Sequence, residues 1–298
     1  MRRRAGYDPG VSERGLFYPL GSAQAEELAL VAGLKPAIRQ RLSRRALDAQ
    51  RRRLEPLGYA CHVLLKGGVN ILVAAADPGR AEAILRLDAA ALRPGFEGEG
   101  FDEVFEHGRL LGYPDCCARA FAYQRVEQGA GTLPACVAAL AATEGPLLPR
   151  LNVVDPLVFH YLPWIPCRFD CAPSAAYADR LAALIARRYP VFVRKVDYAL
   201  AAHRIVVEGA GQVSLTGTWR DAETLVVDRV WDTARDRRAG TPYAEANATA
   251  IASLVDRIRG ARLVTSADGT LRVGDASGVE VERATLFPFG GRSANAVR

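Results

Sequence analysis

The chain has 298 residues, 50% of them hydrophobic and 24% charged, with six cysteines and a net charge of +6. That mixture excludes a largely disordered chain, and no apolar run approaches the ~20 residues that span a bilayer, so no membrane insertion is expected. Six cysteines in so long a chain fall far below disulfide-scaffold density. Neither an apolar segment nor a small-residue cleavage site follows the basic start Met1-Arg2-Arg3-Arg4. The sequence therefore predicts a cytoplasmic protein whose clustered cysteines are metal ligands or redox thiols.

The charge is uneven. Residues 1–60 hold 12 Lys+Arg against 6 Asp+Glu, and the remaining residues hold 27 of each. Residues 1–23 read as an arm with little structure of its own. Residues 24–54 carry a helical pattern interrupted at Lys35-Pro36, since proline breaks or restarts a helix. The second half, a basic helix over 37–53, bears Arg39, Arg41, Arg44, Arg45, Arg51, Arg52 and Arg53. It is the candidate surface for an acidic or nucleic-acid partner. It lacks interleaved aromatics, which argues against a single-strand stacking platform. Two β-rich runs around Gly67-Gly68 predict a hairpin, and Ala81 to Leu92 predicts a short helix. This small unit ends in the Gly-rich stretch 94–100.

Five of the six cysteines lie in the next hundred residues. Phe101 to Leu111 predicts a helix, interrupted by Gly112-Tyr113-Pro114 and followed by a second from Pro114 or Asp115 to about Gln128. Thr132 to Ala142 predicts a third. Residues 144–173 carry prolines at 146, 149, 156, 163, 166 and 173 and predict an ordered but irregular excursion. Ser174 is the expected cap of a long helix with a break at Pro190 and resumption to Ala202. From 204 onward the pattern is β-rich, with a helix from Ala244 to Arg259 and a turn at Asp268-Gly269. Gly209-Ala210-Gly211 is followed by another strand rather than the helix a dinucleotide loop requires, so it reads as a hairpin turn. The chain is thus expected to be α+β: an arm (1–23), a small helix/hairpin unit (24–100), a mainly helical cysteine-bearing segment (101–203) and a β-rich unit (204–298).

Two motifs carry the chemistry. One is Leu111-Gly112-Tyr113-Pro114-Asp115-Cys116-Cys117; the other is Pro166-Cys167-Arg168-Phe169-Asp170-Cys171, with His160 upstream. Each places thiols at or just before the first turn of an expected helix. Unpaired backbone N–H groups and the positive helix end stabilise anions there, which lowers a thiol's pKa and makes it a better ligand or nucleophile. If the two helix starts face each other, Cys116, Cys117, Cys167 and Cys171 converge. Four thiolates suit an iron–sulfur cluster or tetrahedral zinc. Adjacent cysteines are unusual in zinc knuckles, so the leading expectation is a [4Fe–4S] cluster. Zinc in a nucleic-acid or protein binding module is one alternative, and a metal-free vicinal-dithiol enzyme is another.

His160 is an alternative ligand. Asp115, Asp170 and His107 are candidate acid/base groups, and Asp115 and Asp170 are equally candidate helix caps. Arg119 and Arg168 are candidate anion binders for a small-molecule substrate, beside a redox partner for the cluster. Tyr113, Trp164 and Phe169 would screen the site from water. Cys61 and Cys136, in apolar surroundings, read as core residues. The pairing of Gly-Tyr-Pro-x-Cys-Cys with Pro-Cys-x-x-x-Cys resembles a family of prokaryotic proteins of unknown function, and the resemblance implies a shared cysteine site without assigning it a reaction.

Overall fold

The structure is a computed structural model that describes residues 20–66, 68–91, 100–129, 132–154, 159–208, 210–232, 242–267, 270–274 and 277–289. Residues 1–19 of the expected arm 1–23 and most of the Gly-rich stretch 94–100 lie outside the described residues, as do Asp268 and Gly269; the arm's last residues are corrected, since Leu20 is buried and Ser22 starts a helix. The protein is α+β, with helices α1 (Ser22–Val31), α2 (Arg44–Leu54), α3 (Pro78–Ala91), α4 (Phe101–Leu110), α5 (Asp115–Val126), α6 (Thr132–Ala141), α7 (Ala172–Ala186), α8 (Pro190–Leu200) and α9 (Pro242–Ala261). Contacts divide the chain into two units, one comprising Met1–Ala130 with Ala176–Arg194, the other Gly131–Ala175 with Lys195–Arg298.

The first unit is built on a three-stranded antiparallel sheet of β1 (Ala37–Arg41), β2 (Ala60–Lys66) and β3 (Val69–Ala75), in the order β1-β3-β2. The central strand β3 reads as the unbroken apolar run Ile71-Leu72-Val73-Ala74-Ala75 because both of its faces are covered. One face carries Ile71, Val73 and Ala75 against Ala81 and Ile84 of α3 and against Leu111. The other places Ala74 with Ile38, Leu30 of α1 and Leu54 of α2.

The basic helix expected over 37–53 is corrected: residues 37–41 are strand β1, and the helix is α2, from Arg44. The physical reason is a two-residue period hidden among arginines. Ala37 and Arg39 face α3, where Arg39 Nε donates to both carboxylate oxygens of the buried Asp88 (2.8 and 3.0 Å) and its Nη2 lies 2.7 Å from Oδ1. Ile38 and Gln40 face α1, where the Gln40 amide donates to the Ala23 carbonyl. Ser43 caps α2, its hydroxyl accepting from the Ala46 N–H.

The second unit contains a seven-stranded antiparallel sheet. Its strands are β4 (His203–Val207), β5 (Gly211–Trp219), β6 (Thr224–Asp232), β7 (Leu263–Ala267), β8 (Thr270–Val273), β9 (Val279–Glu280) and β10 (Ala284–Phe287), in the order β10-β4-β5-β6-β7-β8-β9. Val207 of β4 pairs with Gly211 of β5, and Gly209 of the expected turn lies outside the described residues. Helix α9 lays Ile251, Leu254, Val255 and Ile258 on the sheet beside Ile205, Val213, Leu215 and Leu225. Their i, i+3, i+4, i+7 spacing makes one apolar stripe, and burying each such side chain contributes about 1.5–3 kcal/mol. Among the described residues, no helix is long and apolar enough to cross a membrane.

Candidate metal centre

The first cysteine motif is an abrupt helix-to-helix corner. Helix α4 ends in a Schellman arrangement. The Tyr113 N–H donates to the Gly108 carbonyl (3.0 Å) and the Gly112 N–H to the Arg109 carbonyl (2.9 Å). Gly112 takes φ +79°, and a Cβ there would collide with the Pro36 ring; both the handedness and the close approach call for glycine. Pro114, which cannot continue the helix, occupies the N-cap of α5 and accepts from the Cys117 and Ala118 N–H groups (both 2.9 Å). Gly108 lets α5 close in on α4, since a Cβ would lie 2.9 Å from the Ala118 Cβ. Cys116 and Cys117 thereby occupy the first turn of α5, Cys117 buried and Cys116 exposed.

The corner rests on a polar cluster that the sequence did not single out. Lys35 is fully buried, 2.9 Å from Glu26 and 5.3 Å from the centroid of the Tyr113 ring. Burial, reinforced by Glu26, holds the phenols of Tyr113 and Tyr177 above their ordinary range. A lysine beside Pro36 carries no pattern that distinguishes it from a surface cation.

The second motif is fixed by hydrogen bonds through the irregular excursion. Thr143 Oγ1 donates to the Ala139 carbonyl at the end of α6 and accepts from the Phe169 N–H (2.9 Å). The Leu148 N–H donates to the Phe169 carbonyl (2.9 Å), and the Gly145 N–H donates to the Asp170 carboxylate (2.8 Å). The Phe169 ring is fully buried, edge-on to Phe287 and Phe289 at 6.0 and 5.0 Å. Cys171 immediately precedes α7, its carbonyl accepting from the Ala175 N–H (2.9 Å). The expected Ser174 cap is corrected: α7 already starts at Ala172, and the Ser174 hydroxyl accepts the indole N–H of the buried Trp164 (3.1 Å).

These two pieces of backbone bring four thiols together. The Sγ atoms of Cys116, Cys117, Cys167 and Cys171 all lie within 4.8 Å of one another, with Cys116 and Cys117 at 3.9 Å. Cys117 and Cys171 are buried, Cys167 is half-buried and Cys116 is exposed. This four-cysteine group could hold a metal.

Cys61 and Cys136 lie elsewhere. Cys61 packs against the Leu30–Ile38–Leu54 cluster, and burial followed by Glu55 pushes its thiol up to about 11. Cys136 is buried in α6, where burial pushes its thiol up to about 12. Both stay protonated and serve as small apolar residues.

The remaining candidates have other neighbours. His107 faces the Arg39–Asp88 pair, its Nε2 3.8 Å from Asp88, and burial lowers its pKa. Asp115 is exposed, 3.7 Å from Arg109, and the N-cap of α5 is Pro114 instead. Asp170 holds the Gly145 N–H and Arg168, and Arg168 also reaches Glu144 at 3.5 Å. Arg119 stacks over Phe105, 4.8 Å from its centroid. His160 is half-buried and not a member of the four-sulfur group.

Comparisons with protein-family models, curated proteins and solved structures found no match.

Proposed function

We propose that Cys116, Cys117, Cys167 and Cys171 hold a single tetrahedral metal ion, zinc by ligand chemistry, in a closed structural site. The observation that carries this is the 4.8 Å limit on the sulfur separations. An ion bound through bonds of about 2.3 Å keeps four sulfurs about 3.8 Å apart. A [4Fe–4S] cluster inserts its iron–sulfide cube between them and holds the thiolates about 6 Å apart. The single ion draws the sulfurs in by at most about 1 Å and leaves the Cys116–Cys117 pair where it is, whereas the cluster pushes every pair out by more than about 1 Å and that pair by about 2 Å. Four thiolates are a complete zinc shell without an open position, the usual form of a structural site. The positive end of α5 offsets part of the surplus negative charge of such a centre.

The [4Fe–4S] cluster is the second reading, favoured by the adjacent pair. Neighbouring side chains on a helix point about 100° apart, which suits two corners of a larger cluster. It would supply electron transfer and explain a redox partner. The metal-free dithiol reading is disfavoured by backbone geometry. Consecutive Cα atoms are held about 3.8 Å apart by a trans peptide, whereas disulfides span about 4.4–6.8 Å, so Cys116 and Cys117 in one helical turn are poor disulfide partners. The family resemblance adds only that such a cysteine pairing recurs.

The test is to express the full chain with zinc and iron both supplied, purify it without oxygen, and measure zinc, iron, acid-labile sulfide and the visible spectrum. We expect one zinc per chain and a colourless protein. A brown protein carrying iron and sulfide would overturn the zinc reading in favour of the cluster. A protein with neither, even after reconstitution, would overturn both.

A further inference from the structure

We infer that the solvent face of α8 is a binding surface for single-stranded nucleic acid. The sequence points instead to the arginines of β1 and α2, of which Arg41, Arg44, Arg45 and Arg52 are exposed while three are paired. Arg39 is committed to Asp88, Arg51 to Glu55 and Arg53 to Glu27, and no aromatic side chain lies among the α2 arginines.

Helix α8 has the opposite character. Phe192, Val193, Val196 and Leu200 are buried, while Val191, Arg194, Lys195 and Tyr198 are exposed. The exposed four follow i, i+3, i+4, i+7 spacing and so share one face. Tyr198 is 56% exposed and Val191 52%, large values for apolar-bodied side chains. Arg194 and Lys195 between them form no ion pair among the described residues. The helix's one carboxylate, Asp197, is already held by Arg150 (2.7 and 3.0 Å) and by the Tyr161 hydroxyl (3.0 Å). Two more exposed cations, Arg187 and Arg188, precede the helix, and Arg188 lies over the Tyr189 ring at 5.4 Å.

Arg194 and Lys195, with no carboxylate in contact among the described residues, select an anionic partner. The choice among anions follows from the aromatic. Tyr198, one turn beyond Arg194 and Lys195 on the same face, leaves more than half of its surface in water and offers a flat ring for stacking. Bases of any sequence stack on such a ring while the backbone phosphates meet the cations. An anionic bilayer would want a broader apolar face than one tyrosine and one valine, and an acidic peptide gains little from the ring. Arg194 and Lys195 are therefore assigned to phosphate contact and Tyr198 to base stacking.

The experiment is fluorescence anisotropy of a labelled oligouridylate of about 20 nucleotides, longer than typical single-strand sites, titrated with the full metal-loaded chain. Binding should weaken steeply with salt. The double variant Arg194→Glu/Lys195→Glu should lose at least about tenfold in affinity and flatten the salt slope. Tyr198→Ala should lose about tenfold with the slope unchanged. Arg44→Glu/Arg45→Glu on α2 should change affinity by less than about twofold. Arg194→Lys/Lys195→Arg should bind as the parent does, and Arg194→Gln/Lys195→Gln replaces the reversal if that variant misfolds. Absence of binding at low salt overturns the proposal. So does a larger loss from the α2 pair, an unaffected Tyr198→Ala, or equal displacement by polyglutamate. Metal content is measured on every variant, so failure here is separable from failure of the metal assignment.

Discussion

Gly112→Ala is the substitution with the largest effect that follows from the geometry of the first cysteine motif. Two costs add. A non-glycine residue at φ +79° carries about 1–2 kcal/mol of backbone strain. The new Cβ also runs into Pro36, its Cγ at 2.8 Å and its Cδ closer, and such overpacking costs about 1–3 kcal/mol. The sum, about 2–5 kcal/mol, is a large part of the 5–15 kcal/mol that stabilises a typical domain. Gly58 isolates the first cost: it sits at φ +87° with open space around a Cβ, so Gly58→Ala should lose only about 1–2 kcal/mol. The entropy that alanine removes from the unfolded chain is common to both and cancels in the comparison. Urea unfolding of both variants gives the difference, and a double-mutant cycle with Pro36→Ala should recover most of it, with a coupling of about 1–3 kcal/mol. Zinc affinity should fall with Gly112→Ala and not with Gly58→Ala, since only the former moves the start of α5. Equal losses at both glycines, or no coupling to Pro36, would refute the account of the corner.

The other predictions concern the centre and its surroundings. Cys171→Ser, at a buried ligand, should abolish stoichiometric zinc, whereas Cys116→Ser, at the exposed corner, should keep zinc at reduced affinity; equal retention by chelator competition contradicts the four-ligand assignment. Cys61→Ala and Cys136→Ala should leave metal content unchanged. Stripping the metal should remove about 2.7 kcal/mol when free metal had stood a hundredfold above its dissociation constant, read as a fall in Tm. His203 supplies a pH dependence: burial, with Arg204 adding, pushes its imidazole down to about 4. The unfolded chain therefore takes up this proton first as pH falls. Its contribution is complete above about 6.5 and lost between 6.5 and 4, about 3 kcal/mol in all. His203→Phe, which keeps a ring against Trp219, should flatten that part of the stability–pH curve, and an unchanged slope would show that His203 is not its source.

What the sequence reveals is local, and what it conceals is mostly pairing. The antiparallel pairing of β2 with β3, α4 through α6 and the break before α8 are legible because glycine, proline and apolar periodicity act within a few residues. The convergence of the two cysteine motifs is legible for the same reason: thiols beside prolines at helix starts announce their own placement. β1 is not. Its five residues include two arginines and a glutamine, and only the facing partners Asp88 and the Ala23 carbonyl make a strand of them. The spacing of the sulfurs is hidden too. Motif pattern alone suggests a cluster because adjacent cysteines are rare at zinc, and the sulfur separation, on which the single-ion proposal rests, is set by a corner that places Cys116 and Cys117 side by side whatever they bind.

Charge gives the same lesson with a different consequence. Counted along the chain, the positive excess belongs wholly to residues 1–60, and everything beyond is neutral. Counted by what faces solvent, part of that excess is neutralised, although Arg41, Arg44, Arg45 and Arg52 stay exposed. Arg39, Arg51 and Arg53 are spent on carboxylates of their own unit, and Lys35 is buried with Glu26. In the formally neutral remainder, Asp197 is consumed by Arg150, which leaves Arg194 and Lys195 unopposed on α8. A field that a partner can feel depends on unpaired charge, because an ion pair in contact is nearly a dipole and its potential decays within a Debye length of about 8 Å. The basic surface of this protein is thus set by which carboxylates fold onto which guanidinium groups, and helix α8, not the arginine-rich stretch that dominates the sequence count, carries the combination of free cations and an exposed aromatic ring.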